Sequence, residues 1–447
     1  MFDSSVFKSY DIRGIYGKEM DDDFFYRIGR FFISYYNIKN IVIAQDSRIS
    51  SPKIFSALTK GITDQGANVL NLGLVPVECL YFAVNHYKYQ AGIMITASHN
   101  PKEYNGLKLV KRNGESSEIL SGKIIYELFL ENSVFSEPKE RGKIKDINLF
   151  DDYIKYIFSI YNSEEIKPFK VVLDAGNGTA GNLISNLKDK LPIKIIPLNF
   201  EPDGNFPNRP PNPLLAGAGK MASSLILKEK ADMGFLFDGD GDRVFLADEN
   251  GKMARADVFL LILAKYFLKK HPGGSIAYNL ICSKSVPEFI KKWGGKPLRT
   301  QVGFINVSKA IVQNKGLMGG ELSGHYCFSD FFNFDSGIIA FLVCLIEISK
   351  SGKKVSEIIK ELSPYAKGDE TNFEVKNKEE IIEKIKEKYS DGKQDFLDGV
   401  TIDYENWWLN ARASQTESLL RLTIEADNLE ILEKKKKELT DFIESNK

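Results

Sequence analysis

Short apolar runs, each closed by a polar or glycine-rich turn and followed by a helical pattern, recur along the first two-thirds of the chain. Residues 41–44 (Ile-Val-Ile-Ala) lead to Asp46 and a helix over about 51–65, and residues 92–95 lead to Ser98. Residues 171–173 lead to Asp174 and a glycine loop, and residues 233–237 lead to Asp238. Residues 276–278 lead to Asn279 and a helix near 286–293. Runs of this length between turns predict buried strands, and their alternation with helices predicts α/β units built on largely parallel sheets. In such sheets function collects at the carboxyl ends of strands, where Ser98, Asp238 and Lys284 fall.

The pattern changes after Gly368. A charged helix over 376–387 is followed by short strands at 399–404, 407–412 and 419–425, then by a lysine-rich helix over 429–445. That order predicts a small α+β domain. Upstream, the polar stretch 136–145 reads as a connection, with a helix over 151–161 after it, and further breaks fall near 250–251 and 363–367. The division expected is 1–145, 146–250, 251–366 and 367–447. The most apolar stretch, 337–348, is too short to span a bilayer, which takes ~20 residues, and predicts a buried helix.

Composition adds limits. A chain of 447 residues exceeds one core. Its 60 basic and 60 acidic side chains cancel, so no overall field favours nucleic acid or an anionic membrane. Any anion site must be built locally. Four cysteines without paired spacing predict reduced thiols and a cytoplasmic protein, and the first residues lack the pattern of a secretory signal.

Two segments carry most of the chemistry. Thr96-Ala97-Ser98-His99-Asn100-Pro101 presents a serine at the mouth of a buried strand, and the proline stops helix continuation. Asp238-Gly239-Asp240-Gly241-Asp242-Arg243 places three carboxylates at alternate positions with glycines between. Unit charges ~4 Å apart repel by about 4 kcal/mol at an effective dielectric of ~20, and a hard divalent cation removes that cost. Oxygen-only donors suit Mg²⁺. An EF-hand is excluded because Arg243 stands where the loop needs glycine.

Three weaker segments point the same way. Gly320-Glu321-Leu322-Ser323-Gly324-His325 offers polar side chains for sugar hydroxyls. Arg412-Ala413-Ser414-Gln415-Thr416-Glu417, between two strands, offers a guanidinium fork and hydroxyls for a phosphate. Tyr10-Asp11-Ile12-Arg13-Gly14 and Lys108 add cations, Lys108 on a strand returning toward Ser98. Gly176-Asn177-Gly178-Thr179-Ala180-Gly181 fits the dinucleotide fingerprint. No hydride-transfer chemistry accompanies it, so it reads as tight strand–helix packing.

Taken in chain order, from residues 10–14 through 96–101, 238–243 and 320–325 to 412–417, the five motifs resemble the α-D-phosphohexomutase superfamily, in its phosphomannomutase/phosphoglucomutase branch. The resemblance spans residues 10 to 417. It implies three related α/β (αβα-layered) domains and a smaller C-terminal α+β domain around a central cleft. It implies interconversion of hexose 1-phosphate and hexose 6-phosphate, through a phosphoserine at Ser98 and a hexose 1,6-bisphosphate that also serves as activator. One Mg²⁺ per subunit would be held by Asp238, Asp240, Asp242 and the Ser98 phosphate. Arg13, Arg243, Lys108 and His99 would surround the transferring phosphate, with Lys108 the first candidate for general acid/base help at the sugar hydroxyl and His99 its competitor. Tyr10, Lys284, Glu321, Ser323 and His325 would contact the sugar substrate. Arg412, Ser414, Gln415 and Thr416 would clamp the phosphate that does not react, and Arg421 would be a further substrate-binding residue. The partners implied are hexose phosphates, and the protein is expected as a monomer or homodimer.

Some positions depart from the family pattern. Gln415 and Ser418 replace an asparagine and a proline of the usual clamp, and Gly303-Phe304 stands where many mannose-type members have Gly-His. The sugar is therefore open between mannose, glucose and glucosamine phosphates. A sugar-phosphate-binding protein without turnover is the alternative of another class.

Overall fold

The computed structural model describes every residue except 1–2, 133–134, 136–137, 139 and 415–418. The chain divides into two compact units, one formed by Met1–Ala254 with Ser323–Val355, the other by Arg255–Leu322 with Ser356–Lys447.

The first unit holds two sheets. In one, the strands Asn68–Leu74, Asn40–Gln45 and Ala91–Ile95 run parallel, and all five residues of the last are buried. Tyr104–Asn113 returns antiparallel beside Ala91–Ile95 with Lys108 opposite Met94, and Ile12–Ile15 lines its other edge with Arg13 opposite Gly106. The serine loop, Lys108 and Arg13 are therefore assembled by sheet register. Behind this sheet the helices Asp22–Tyr36 and Ser51–Asp64 pack backbone to backbone. A Cβ on Gly61 would stand 2.1 Å from the Tyr26 carbonyl oxygen, and one on Gly29 would stand 2.6 Å from that of Leu58, so only glycine fits at the crossing.

The second sheet orders Val244–Ala247, Met233–Phe237, Lys170–Asp174 and Lys194–Leu198. Its last three strands are parallel, and the antiparallel hairpin at its edge encloses residues 238–243. One element has no signature in the sequence. The polar connection ends in the strand Ile144–Asp146, exposed at every residue, which pairs in parallel with Asn68–Leu74. The apolar stretch near residue 340 forms the helix Gly337–Ser351, buried along nearly its whole length and capped by Ser336.

Glu78, fully buried in the helix Val77–His86, accepts hydrogen bonds from Tyr153 Oη at 3.0 Å and from the Ser336 hydroxyl. Burial pushes its carboxyl up to about 8, against the lowering effect of those two donors. The group thus keeps its proton in the folded state where the unfolded chain has lost it. Stability contributed by Glu78 falls as pH rises from about 4.5 to about 8 and is constant above. Glu78→Gln is therefore expected to melt close to wild type at pH 4.5 and increasingly above it toward pH 8. Thermal denaturation across that range checks this; a gap that does not widen with pH counts against it.

In the second unit, Ser275–Asn279 lies parallel between Lys296–Thr300 and Met318–Gly320. The C-terminal sheet is antiparallel, ordered Ala366–Lys367, Leu419–Ala426, Trp407–Ala413, Val400–Asp403 and Lys393–Asp395, with Thr371–Glu374 also on Leu419–Ala426. The helices Lys378–Lys388 and Leu429–Ser445 bury Ile381, Ile385, Leu432, Leu439 and Ile443 into its core. This is the α+β domain that the strand run predicts. Among the described residues, no helix is long and apolar enough to cross a membrane.

Candidate active site

Ser98 is 2% exposed and has φ +49°, a left-handed conformation that residues with a Cβ rarely adopt. Its N–H donates to Thr96 Oγ1 at 2.7 Å, which favours the tight turn. Its hydroxyl donates to Asp238 Oδ2 at 3.0 Å and lies 3.4 Å from His99 Nδ1. A Cβ on Gly239 would stand 2.7 Å from the Ser98 carbonyl oxygen, so the glycine between the first two aspartates is what lets the two loops touch.

The acidic loop is held from several sides. Asp238 Oδ1 accepts the N–H groups of Gly241 (3.0 Å) and Arg243 (3.2 Å), and Gly241 has φ +80°. The carbonyl of Asp240 accepts from Val77 N–H at 3.0 Å, and that of Gly239 from Thr179 N–H at 3.1 Å. Thr179 belongs to the glycine loop after Lys170–Asp174. A Cβ on Gly178 would stand 2.5 Å from the Gly239 carbonyl oxygen, so this loop is packing under the acidic turn. Buried Arg209 ties the same strand ends together through Asp174 (2.7 Å) and the Phe237 carbonyl (2.6 Å).

Asp238, Asp240 and Asp242 are all fully buried. Lys108 Nζ donates to Asp240 Oδ2 at 2.8 Å and Asp242 Oδ2 at 2.5 Å. The other oxygen of each, Asp240 Oδ1 and Asp242 Oδ1, has no hydrogen-bond partner among the described residues. One oxygen from each aspartate can be chosen so that all three lie within 4.8 Å of one another. Buried orphan carboxylate oxygens are costly, and two of them beside a third carboxylate and a serine hydroxyl form a donor set suited to a hard divalent cation.

Electrostatics distinguishes the members. Burial, then Asp242 and Asp240, pushes the Asp238 carboxyl well above the usual carboxylate range. Burial acts the same way on Asp242, but Lys108, His325 and Arg243 outweigh it and hold that group below the range. Burial works against the Lys108 ammonium, yet Asp240 and Asp242 hold it firmly charged. Burial, with Arg243 and Arg13 nearby, pushes His99 well below its ordinary value, so its imidazole is neutral at pH 7.

Arg13 donates to Asn100 Oδ1 at 2.6 Å and pairs with Asp11. Arg243 Nε donates to His325 Nε2 at 3.0 Å and stands 3.7 Å from Asp238 Oδ2. His325 is 4% exposed, and its Nδ1 lies 2.6 Å from Asp335 Oδ2. The structure therefore brings His325 beside Arg243, while Tyr10 and Ser323 lie half-buried in turns of the same unit. Asp335 and Arg48 carry no motif of their own. The one cue to Arg48 is an Asp-x-Arg after the strand adjoining that of Ser98.

The second unit holds the remaining candidates. Glu321 Oε2 accepts from Gly303 N–H at 3.0 Å and Asn279 Nδ2 at 3.3 Å. Lys284 Nζ pairs with Asp403 Oδ1 at 2.7 Å and donates to the Tyr404 carbonyl at 3.3 Å. Arg412 and Arg421 face each other across the hairpin, and both grip Glu370, at 2.6 and 3.1 Å. Ser414 is buried at the end of that strand pair and donates its N–H to the Leu419 carbonyl at 2.8 Å. Two guanidinium forks thus converge on one carboxylate, Glu370, which lies outside the sequence motif. Gln415 and Thr416 lie outside the described residues.

Known proteins resemble this chain along its whole length. Residues 4–133, 151–251 and 255–365 match the families described as phosphoglucomutase/phosphomannomutase alpha/beta/alpha domains I, II and III. Residues 370–442 match the corresponding C-terminal domain. A phosphomannomutase of Vibrio cholerae is 34% identical, over 99% of this chain and 99% of its own length. One from Methanocaldococcus jannaschii is 34% identical, over 99% and 98%. A crystal structure of a phosphoglucomutase/phosphomannomutase family protein from Burkholderia thailandensis superposes with a TM-score of 0.89 at 29% identity, covering 100% of this chain and 98% of that one.

Proposed function

The chain belongs to the phosphoglucomutase/phosphomannomutase family, and on that premise we propose that it interconverts hexose 1- and 6-phosphates of mannose or glucose through a phosphorylated Ser98. It is a mutase, a phosphotransferase of the isomerase class. The observation that carries the finer reading is the Ser98 hydroxyl on Asp238 Oδ2, at 3.0 Å, beside two buried carboxylate oxygens without hydrogen-bond partners among the described residues.

Phospho-Ser98 donates to the free hydroxyl of a hexose monophosphate. The bond from phosphorus to Oγ breaks, a bond to the sugar oxygen forms, and the proton of the sugar hydroxyl is taken up by an acid/base group of the site and returned to the leaving Oγ. Lys108 is the first candidate for that proton and His99 the second: the Lys108 ammonium is held charged, and the His99 imidazole is neutral but weakened as a base. The hexose 1,6-bisphosphate formed turns around, and its other phosphate returns to Ser98. Arg13 and Arg243 offset charge on the moving phosphoryl group. Arg412, Arg421 and Ser414, with Gln415 and Thr416, hold the distant phosphate, which displaces Glu370 as counter-ion of the two arginines. Glu321 and Ser323 read sugar hydroxyls, with Tyr10, Lys284 and His325 as further contacts.

Asp238, Asp240, Asp242 and the oxygen on Ser98 would hold one Mg²⁺. Bound there, it supplies charge neutralisation at the phosphoryl oxygens. The proposed domain limits stay at 145/146, 250/251 and 366/367, and the proposed location is the cytoplasm.

The test is a panel of mannose, glucose and glucosamine phosphates, with intact-mass and peptide mapping after incubation with hexose 1,6-bisphosphate. Expected are one phosphoryl group on Ser98 and higher kcat/KM for mannose or glucose phosphates. Preference for glucosamine phosphates would move the assignment to that sugar. Hexose-phosphate binding without turnover or an adduct would leave a binding protein.

A further inference from the structure

We propose that Arg48 is the positioning residue for the phosphoryl-carrying loop: its guanidinium gathers four backbone carbonyls of that loop and thereby sets the direction of the Ser98 hydroxyl. The inference rests on the reading of Ser98 as the phosphoryl carrier.

The side chain of Arg48 is wholly buried. All five of its N–H donors are used. Nε donates to Asp46 Oδ2 at 3.0 Å. Nη1 donates to the carbonyls of Pro101 (2.6 Å) and Tyr104 (2.9 Å). Nη2 donates to those of Ser98 (2.8 Å) and Asn100 (2.7 Å). The loop that carries Ser98, from its nucleophile to the start of the returning strand, is thus pinned at four points by one planar group. Phe206 covers that group, its ring centroid 5.4 Å from the guanidinium carbon.

Asp46 completes the device from the other side. Its Oδ1 accepts from Arg48 N–H at 3.0 Å and Ser51 Oγ at 2.9 Å, and its Oδ2 accepts from Thr96 Oγ1 at 2.7 Å. Thr96 Oγ1 in turn accepts the Ser98 N–H at 2.7 Å. Ser98 is therefore gripped at its N–H through Thr96 and Asp46, and at its carbonyl through Arg48. These two grips flank the one residue of the loop held at positive φ. Nothing in the chain's own covalent preference favours that conformation, so the aim of the hydroxyl at Asp238 depends on both. None of the donors on Arg48 points to the reacting atoms. It acts through the loop.

A lysine cannot take over the role, because an ammonium offers three donors from one point where the guanidinium spreads five in a plane. A displacement of about 1 Å in a reacting group costs roughly 10²-fold in rate. Arg48→Lys is therefore expected to lower kcat by about 10²-fold. KM for the hexose phosphate should stay within about threefold, since the groups that grip the sugar and its distant phosphate are not touched. Thr96→Val, which keeps side-chain volume, breaks the other grip together with a 3.3 Å contact of the Thr96 hydroxyl to Asp240 Oδ2, and is expected to lower kcat about tenfold with the same constancy of KM.

The experiment measures kcat and KM per folded molecule for wild type, Arg48→Lys, Arg48→Ala and Thr96→Val, with Ser98 phosphorylation followed by intact mass. Free guanidinium in the millimolar range should restore part of the lost kcat in Arg48→Ala, and methylammonium should not. A kcat split from KM, with guanidinium rescue, supports the inference. Wild-type kcat in both Arg48→Lys and Thr96→Val overturns it. So does a loss that only tracks the unfolded fraction, and Thr96→Val decides should the Arg48 variants not fold. If wild-type protein never acquires phosphate on Ser98, the carrier reading fails first and the inference with it. Normal phosphorylation of wild type with unchanged variants overturns the inference alone.

Discussion

Ser98→Ala is expected to lower interconversion of hexose 1- and 6-phosphates by on the order of 10⁵-fold or more, as removal of a covalent nucleophile does, while leaving the fold intact. The substitution removes one oxygen. The N–H of residue 98 keeps its bond to Thr96, and its carbonyl keeps the bond to Arg48. What disappears is the 3.0 Å contact with Asp238 and, with it, the one atom at that position able to carry a phosphoryl group covalently. The adjacent polar side chains do not substitute. Asn100 is tied to Arg13, and the Thr96 hydroxyl is engaged by the carboxylates of Asp46 and Asp240. A coupled assay from either hexose phosphate measures the effect, with circular dichroism and a melting curve as controls for folding. Activity near wild type in a well-folded variant would rule out a phosphoserine at residue 98.

Much of this site is legible in the amino-acid sequence, because it lies where the hydrophobic pattern is strongest. Ser98 follows a strand buried at all five positions, and Asp238 follows another. Continuous apolar runs of that kind have few alternatives. The helix Leu429–Ser445 and the strands before it likewise follow from periodicity. The features without a sequence signal are those set by pairing across long separations. Arg48 reaches Ser98 because Asn40–Gln45 lies beside Ala91–Ile95, a neighbourhood that no local pattern encodes. Asp335 supports His325 ten residues away in sequence, across the strand Tyr326–Phe328 and a short 3-10 turn, and Glu370 meets two arginines contributed by different strands. Glu78 reads like any acid in the first turn of a helix, and its burial comes from tertiary packing, where Tyr153 and Ser336 from two distant segments meet it. Ile144–Asp146 has no buried face at all, so nothing in its composition marks it as a strand. The weaker GELSGH segment divides in the structure. Glu321 is fixed by Gly303 and Asn279, whereas His325 is fixed by Asp335 and Arg243.

The acidic loop supports a second large effect, with opposite signs for activity and stability. Asp238→Asn is expected to lower turnover by on the order of 10³-fold, comparable to removing a major electrostatic stabiliser of the transferred group, and to raise the melting temperature of metal-free protein. The three buried carboxylates face two fixed cations, Lys108 and Arg243. Lys108 is engaged by Asp240 and Asp242, which leaves Asp238 the least compensated, and its carboxyl is accordingly pushed well above the usual range by burial and by the other two. A group whose ionised form is disfavoured in the fold costs stability at neutral pH. Asparagine removes the charge and keeps the shape. Its oxygen can still accept from Gly241 and Arg243 N–H, and its amide can donate to the Ser98 hydroxyl, which then acts as acceptor. Each kcal/mol gained should appear as roughly 1 °C in a chain of 447 residues that unfolds as one, at about 2.1 cal/mol/K per residue. Added Mg²⁺ reverses the order. At about 100 times Kd a ligand stabilises wild type by roughly 2.7 kcal/mol, and the variant, short one anionic donor, gains little. Melting curves in chelator and in Mg²⁺, with titration calorimetry of the metal, measure both halves. A variant that melts below wild type in chelator would refute the repulsion argument, and one that Mg²⁺ stabilises as strongly as wild type would remove Asp238 from the metal ligands.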